Sequence, residues 1–166
     1  MPGGQYVIPG TYTDTITVTA YYTFLFFFPG TVTTQMTVTA TVLPNCLLSA
    51  SNLAFGNYAG ALINSTSTIS VTCTNTTPYN VGLNPGLATG ATVTTRKMQN
   101  GANRLSYSLY QNSTHTTNWG NTVNTDTEPG IGSGAVQSLT VYGQLPAGQY
   151  VTPGNYSDTI TATITY

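Results

Sequence analysis

Charge is what this sequence lacks most. Of its 166 residues, three are basic and four are acidic, so that 4% of the chain is charged, where about 25% is usual for soluble domains. Three basic residues cannot neutralise a run of nucleic-acid phosphates or hold a chain on an anionic membrane surface. The composition therefore excludes nucleic-acid binding and polybasic membrane attachment.

Long apolar runs and helical periodicity are also missing. The longest apolar stretch, residues 21–28, is too short to cross a bilayer as a helix. Residues 1–20 lack the basic start and apolar core of a secretory signal. No segment keeps a helical period over about 11 residues. We therefore predict a chain that does not span a membrane, and its compartment has to be judged from other features.

Cysteine is scarce: the chain has Cys46 and Cys73, together with a single histidine, His115. These residues are too few and too scattered for a zinc site, and we predict no metal or other cofactor. A disulfide is the simplest use of the two cysteines, and it implies an oxidising compartment. Two buried free thiols are the alternative.

Threonine and strict alternation dominate what is present. The chain has 34 threonines, and 40% of its residues are hydrophobic. Several segments alternate apolar and hydroxyl residues, as strands with one buried face do; they are residues 36–42, 69–74, 105–110, 139–143 and 156–166. Turn signals separate them at Asn84-Pro85-Gly86, Asn100-Gly101, Pro129-Gly130 and Pro153-Gly154. The pattern predicts an all-β chain that forms a sandwich of two antiparallel sheets.

The two ends of the chain repeat each other. Residues 1–22 and 145–166 match at 14 of 22 positions when they are aligned at an offset of 144. We interpret residues 1–22 as the C-terminal remnant of an upstream domain copy. Residues 23–35 are then a junction and the start of a candidate donor strand, and residues 36–166 are the intact domain. On this interpretation a secretion signal belongs to sequence upstream.

The intact copy resembles the spore coat protein U domain family, which includes subunits of archaic chaperone–usher pili. The resemblance begins with Cys46 shortly after an alternating strand and ends with the segment from Pro146 to Thr159. Between them lie Phe55-Gly56-x-Tyr58, Ser70-Val71-x-Cys73, Leu105-x-Tyr107-x-Leu109-Tyr110, Trp119-Gly120 and Gln137-Ser138-Leu139-Thr140-Val141-Tyr142-Gly143. The resemblance implies an immunoglobulin-like antiparallel β-sandwich that lacks its final strand and so has a long apolar groove.

The resemblance also implies partners and a location. A periplasmic chaperone fills the groove during export, an outer-membrane usher assembles the fibre, and the N-terminal extension of a neighbouring pilus subunit then replaces the chaperone by donor-strand exchange. The expected function is that of a structural, non-enzymatic pilus subunit serving adhesion or biofilm formation, in the periplasm and then at the cell surface. Two copies in one chain resemble a two-domain tip adhesin more than a single-domain shaft subunit.

Two segments are candidates for the strand contacts. A donor strand needs apolar side chains at every second position, and the candidates are Val32, Met36, Val38, Ala40 and Val42. The alternative is that this segment is the first strand of its own sheet. The candidate acceptor edge, which would also bind the chaperone, consists of Ile160, Ala162, Ile164 and Tyr166.

The phenylalanine-rich segment has two interpretations. Phe24, Phe26, Phe27 and Phe28 form either an exposed hydrophobic contact for surfaces or a buried junction between the two copies.

Two rival functions of other kinds remain at this point. One is a secreted carbohydrate-binding module with an aromatic site formed by Trp119, Tyr110 and Tyr107. The other is a coat protein module that does not polymerise. An enzyme is not expected: no G-x-S-x-G motif is present, and the glycine-rich residues 130–135 precede a strand pattern instead of a phosphate-binding helix.

Overall fold

The structure is a computed structural model, and it describes residues 6–24 and 28–166. Within these ranges the chain forms strands and no helix, so none of its described segments is a helix able to cross a bilayer. The strands are β1 (Gly10–Phe24), β2 (Phe28–Val42), β3 (Cys46–Ala50), β4 (Ile63–Cys73), β5 (Pro78–Leu83), β6 (Arg96–Asn100), β7 (Asn103–Tyr110), β8 (Glu128–Ile131), β9 (Gln137–Leu145) and β10 (Ala162–Thr165). The predicted all-β class is confirmed.

β1 and β2 form a two-stranded antiparallel sheet of their own. Every residue of β1 has a partner in β2, from Gly10 opposite Val42 to Phe24 opposite Phe28. Because side chains alternate along a strand, one face of this hairpin carries mostly threonines and the other mostly apolar residues. The apolar face includes Tyr12, Ile16, Val18, Tyr22, Val32, Met36 and Val38, all of them exposed.

The remaining strands form two antiparallel sheets, of five strands in the order β3-β4-β9-β7-β6 and of three strands in the order β10-β5-β8. Inward-facing residues at every second position of β4, β5, β7 and β9 build the core between them. These are Ile69, Val71, Cys73, Tyr79, Val81, Leu83, Leu105, Tyr107, Leu109, Val141 and Leu145. The predicted antiparallel sandwich is therefore confirmed.

The disulfide lies at one edge of the larger sheet. Cys46 begins β3 and Cys73 ends β4, the two residues are partners in the antiparallel register, and their sulfurs are bonded. The predicted Cys46–Cys73 bridge is confirmed, and the alternative of two free thiols is wrong.

Arg96 lies on β6, at the edge of the larger sheet opposite the disulfide, and links several elements there. Its side chain is fully buried and donates to four backbone carbonyls: Asn84 (2.9 Å), Val93 (2.6 Å), Leu83 (2.9 Å) and Trp119 (2.7 Å). Burial lowers the pKa of Arg96 to about 10. The guanidinium joins β6 to the end of β5 and to the loop that carries Trp119, an arrangement that sequence analysis missed.

One predicted turn is wrong. Pro129 and Gly130 lie within β8, opposite Asn80 and Tyr79 of β5. β8 is an outer strand of its sheet, where a proline without an N–H is tolerated. The Tyr79 ring lies against Gly130 and leaves no space for a Cβ atom there. Glycine is therefore needed at this position for packing against the ring and not to form a turn.

Candidate functional site: an open groove between two sheet edges

Two strands of the sandwich have an unpaired edge on the same side of the molecule. In the described part of the chain, β3 pairs only with β4, and β10 pairs only with β5. The two strands approach each other across the sandwich. An unpaired edge presents free N–H and C=O groups and can accept a further strand.

The segment leading into β10 directs alternate backbone groups toward this open side. Thr161 exchanges hydrogen bonds with Asn84: its N–H donates to Asn84 Oδ1 (2.9 Å), and its C=O accepts from Asn84 N–H (3.1 Å). Four residues earlier, Ser157 forms an antiparallel bridge with Gln99 of β6. Because consecutive residues of an extended strand point their backbone groups to opposite sides, residues 158, 160, 162 and 164 point theirs to the open edge.

The side chains of the candidate acceptor edge alternate as predicted. Ile160, Ala162 and Ile164 are half-buried and pack against the core, whereas the intervening threonines are exposed. Tyr166 is 55% exposed. The regular strand begins only at Ala162, although the alternation of burial extends back to Tyr156.

A cavity opens beside this edge and reaches the core. It has a volume of about 570 Å³ and touches Ala162 and Ile160 at its rim. Its floor is formed by side chains of the hydrophobic core, namely Ile69, Leu83, Tyr107, Leu109 and Val141. The interior of the sandwich is therefore not sealed by its own strands along this side.

A second cavity, of about 840 Å³, continues the first toward residues 149–156. The two share Leu53, Phe55, Met98 and Tyr156 in their walls, so they form one groove. We call these two cavities, together with the free edge of residues 156–165, the groove.

Gln149 and Tyr58 hold the wall of the larger cavity. The Gln149 side chain bonds Ser106 of β7 in both directions, with Ser106 N–H donating to Oε1 (2.7 Å) and Nε2 donating to Ser106 C=O (2.8 Å). Tyr58 donates its hydroxyl proton to Pro146 C=O (2.7 Å) and accepts from Gln149 N–H (3.0 Å). Both residues lie in segments that carry the family resemblance, but the sequence pattern assigns them no role; the recurrence of glutamine at positions 5 and 149 is the signal that could have singled out Gln149.

Asp158 lies near the start of residues 156–165, the edge segment, and anchors it. Its carboxylate accepts from the Tyr107 hydroxyl (2.7 Å), from Leu87 N–H (2.9 Å) and from Thr159 N–H (2.8 Å). Burial raises the pKa of Tyr107, and the hydrogen bond to Asp158 and the negative charge of that carboxylate raise it further. The tyrosine therefore stays protonated and keeps the edge segment in place.

The candidate donor residues lie outside the groove. Val32, Met36, Val38, Ala40 and Val42 share one face of β2, as the pattern predicts. The structure pairs their strand with β1 along its whole length. The donor role of this segment stays a prediction.

The phenylalanine-rich segment is described only at its two ends. Phe24 and Phe28 are partners at the tip of the hairpin, and they are 63% and 68% exposed. Phe26 and Phe27 lie outside the described residues.

The proposed carbohydrate site does not form. The indole of Trp119 is 1% exposed and donates from Nε1 to Val81 C=O (2.8 Å), and the ring of Tyr107 is 5% exposed. Both rings belong to the core and cannot stack on a sugar. The interpretation of Trp119, Tyr110 and Tyr107 as a surface aromatic site is wrong, because Trp119 and Tyr107 pack in the core between the two sheets.

A solved structure from a pilus system has the same fold. A chain of the CsuC–CsuE complex, a chaperone with a tip adhesion subunit from archaic chaperone–usher Csu pili of Acinetobacter baumannii, superposes with a TM-score of 0.67 at 23% identity. The superposition covers all of this chain and 62% of the solved chain, so this chain spans less than two thirds of that neighbour.

Sequence comparison supplies the family. Residues 32–163 match the family described as Spore Coat Protein U domain. Protein U of Myxococcus xanthus is 38% identical over 128 residues, an alignment that covers 69% of this chain and 71% of that protein. The chain belongs to the spore coat protein U domain family.

Proposed function

We propose that this chain is a structural subunit of a cell-surface pilus, assembled by the chaperone–usher route through donor-strand exchange, and that it serves adhesion or biofilm formation. The observation that carries the proposal is the open groove: two unpaired sheet edges flank a cavity whose floor is the hydrophobic core. A further strand would fill a vacancy of this shape.

The energetics favour an extended strand as the occupant. Such a strand pairs its backbone with a free edge and inserts every second side chain into the groove. Burying four apolar side chains would contribute on the order of 4–8 kcal/mol before the entropy of ordering the strand is subtracted. An uncovered edge of this kind is an aggregation hazard, which explains the need for a chaperone.

Partners and location follow from the same proposal. A periplasmic chaperone would bind along the edge formed by Ile160, Ala162, Ile164 and Tyr166, and an outer-membrane usher would then exchange it for a neighbouring subunit. The fold shared with a chain of a chaperone–tip subunit complex supports these partners. The disulfide supports export, because such bonds persist in oxidising compartments.

The domain assignment belongs to the proposal as well. Residues 1–22 would be the last part of an upstream copy, residues 23–35 the junction, and residues 36–166 the pilin-like domain, with β2 as the donor strand. The exposed apolar face of the hairpin supports this assignment, because a strand pair of this length needs a partner for that face. Two copies in one chain favour the tip position.

The groove is tested by a matched pair of substitutions on β10. Ala162 lines the cavity, whereas neighbouring Thr163 points outward and is exposed. In a host expressing a cognate chaperone and usher, Ala162→Arg should abolish co-purification with the chaperone and the formation of fibres, while Thr163→Arg should retain both. Retained capture and normal fibres with Ala162→Arg would contradict the proposal. The disulfide content of both variants reports whether they fold.

The donor is tested separately by deletion. Removal of residues 31–43 should abolish fibre growth and leave chaperone capture intact, since the groove remains. Unchanged fibres would show that β2 is not the donor.

A coat module that does not polymerise is the second candidate. The similarity to Protein U of Myxococcus xanthus favours it. It predicts that both β10 variants behave like the unmodified chain and that the protein takes up no added strand.

A further inference from the structure

The internal repeat is conserved in backbone geometry as well as in sequence. Tyr12 donates its hydroxyl proton to the carbonyl four residues earlier, that of Ile8 (2.9 Å), and Tyr156 does the same with Thr152 (2.8 Å). Positions 12 and 156 are separated by the repeat offset of 144. The same local structure thus precedes β1 and the edge segment of the groove.

Two further features repeat at the same offset. Gly10 and Gly154 have backbone φ angles of 153° and 156°, which L side chains rarely adopt. Asp14 and Asp158 each accept from the following N–H, that of Thr15 or Thr159, at 2.8 Å in both cases. β1 is therefore a second example of the edge segment, both in sequence and in conformation.

The two examples differ in whether the edge has a partner. β1 is paired along its length by β2, whereas in the described residues the edge of 156–165 facing the groove has no partner strand. The hairpin therefore gives one observed partner, direction and register for a segment of this kind.

We propose that the groove accepts the β2 segment of a second copy of this chain, antiparallel to residues 156–164 and in the register that β2 keeps against β1. Ile16 lies opposite Met36 and Thr17 opposite Gln35. Carried over by the repeat, Met36 lies beside Ile160 and Gln35 beside Thr161. This inference rests on the proposed function only in that the groove takes a strand.

The register matches side chains to the shape of the groove. Met36 stands next to Ile160, over the cavity floored by Ile69 and Tyr107. Ala40 comes next to Tyr156, whose side chain lies in the wall that the two cavities share. A long flexible side chain thus meets the pocket, and a small one stands beside the large ring.

The position between these two, where Val38 would lie beside Asp158, is also compatible with the proposed register. Val38 lies beside Asp158, as it does beside Asp14 in the hairpin. The Asp158 carboxylate already accepts hydrogen bonds from Tyr107 and Leu87, so a neutral apolar neighbour leaves no polar group unpaired. Residues 28–42 carry no charged side chain, and burial of the strand therefore requires no desolvation of an ionised group.

A disulfide cross-link tests the register on the full chain. Thr161 is exposed, and its backbone groups point to Asn84, so its partner across the groove would be a non-hydrogen-bonded pair with Cα atoms about 4.5 Å apart, within disulfide range. The Thr161→Cys chain, with its Cys46–Cys73 bond intact and a free thiol at position 161, is mixed in aerated buffer with a synthetic peptide of residues 30–42 that carries Gln35→Cys, so that dissolved oxygen takes up the two electrons released when the disulfide forms. The matched peptides carry the cysteine two residues away, as Thr33→Cys or Thr37→Cys, on the same face.

The Gln35→Cys peptide should form the mixed disulfide at residue 161 at least about five-fold faster than either matched peptide, with the bond located by mass spectrometry. Adding Met36→Asp to this peptide should remove the preference. Faster reaction of the Thr33 or Thr37 peptide would overturn the register while leaving strand uptake, and with it the proposed function, intact.

No cross-link with any of the three peptides would overturn β2 of a second copy as the occupant. The Ala162→Arg and Thr163→Arg pair then separates the remaining possibilities. Loss of chaperone capture in Ala162→Arg alone would mean that the groove takes a strand from a different protein, whereas equal behaviour of the two variants would remove the proposed function as well.

Discussion

At the scale of single residues, hydrogen bonds to the half-buried Asp158 and the buried Arg96 hold the elements around the groove in place. Asp158 joins the edge segment to β7 through Tyr107 and to the loop after β5 through Leu87. Arg96 joins β5, β6 and the Trp119 loop through four carbonyls. Buried polar groups of this kind are stable only when their hydrogen bonds are made, so each one fixes the relative position of the elements that it joins.

Because of Tyr107, the free energy of unfolding should depend on pH in the alkaline range. Its pKa is raised above the model-peptide value of 10.0 by burial and by Asp158. Above pH 10 the unfolded chain releases this proton while the folded chain keeps it, so the free energy of unfolding falls as pH rises, by up to about 1.4 kcal/mol per pH unit for one proton. Below pH 10 this contribution is complete.

Tyr107→Phe should therefore show a shallower fall in unfolding free energy above pH 10 than the unmodified chain, measured by urea denaturation at a series of pH values. At neutral pH the variant should be less stable by about 1–3 kcal/mol, because Asp158 loses a hydrogen-bond donor. Tyr142→Phe is a control at an outward-facing position of β9. Parallel pH profiles for Tyr107→Phe and the unmodified chain would contradict the assignment.

At the scale of secondary-structure elements, edges decide what the molecule can do. β3 and β10 each have one unpaired side, and β3 is a strand of five residues fastened to β4 by the disulfide. The bond keeps one wall of the groove in register before any further strand arrives. A short edge strand without this link would fray easily.

Loss of the disulfide should lower stability by roughly 3–4 kcal/mol, the chain-entropy estimate for a loop closed by residues 27 apart. The double variant Cys46→Ser, Cys73→Ser should show this difference in urea denaturation and a lower yield from an oxidising compartment. The reduced unmodified chain is the control and should match the variant. Equal stability of the oxidised chain and the variant would show that the bond contributes little.

At the scale of the whole molecule, two apolar surfaces are available for association. One is the open groove, and the other is the apolar face of the hairpin, on which Ile16, Val18 and Met36 are exposed. Continuous exposed apolar surfaces of this kind are uncommon on monomeric soluble proteins and mark interaction sites.

The chain purified without a chaperone should therefore associate as its concentration rises, as measured by size-exclusion chromatography with light scattering. Met36→Asp should reduce association through the hairpin, and Ala162→Arg should reduce association through the groove. Thr163→Arg is the matched control and should associate like the unmodified chain. A single monomeric species at every concentration would contradict the assignment of both surfaces as interaction sites.

Local patterns in the sequence were sufficient for the all-β class, for the strands with strict alternation and for the family. Alternation along residues 69–73, 105–109 and 156–164 determines which side chains face inward, because the period of a strand is two regardless of its neighbours. The repeat also identified β1 as a copy of the edge segment without any coordinates. Local sequence could not assign Pro129 and Gly130, whose place in β8 depends on the ring of Tyr79.

The amino-acid sequence by itself determined the all-β class, the inward-facing positions of the alternating strands and the apolar face of β2, because these depend on composition and on spacing along the chain. Only the tertiary structure decided which edges remain unpaired, that Trp119 and Tyr107 are buried in the core, and that β2 pairs with β1. These features depend on contacts between residues far apart in sequence, and alternation along one strand carries no information about which strand lies beside it.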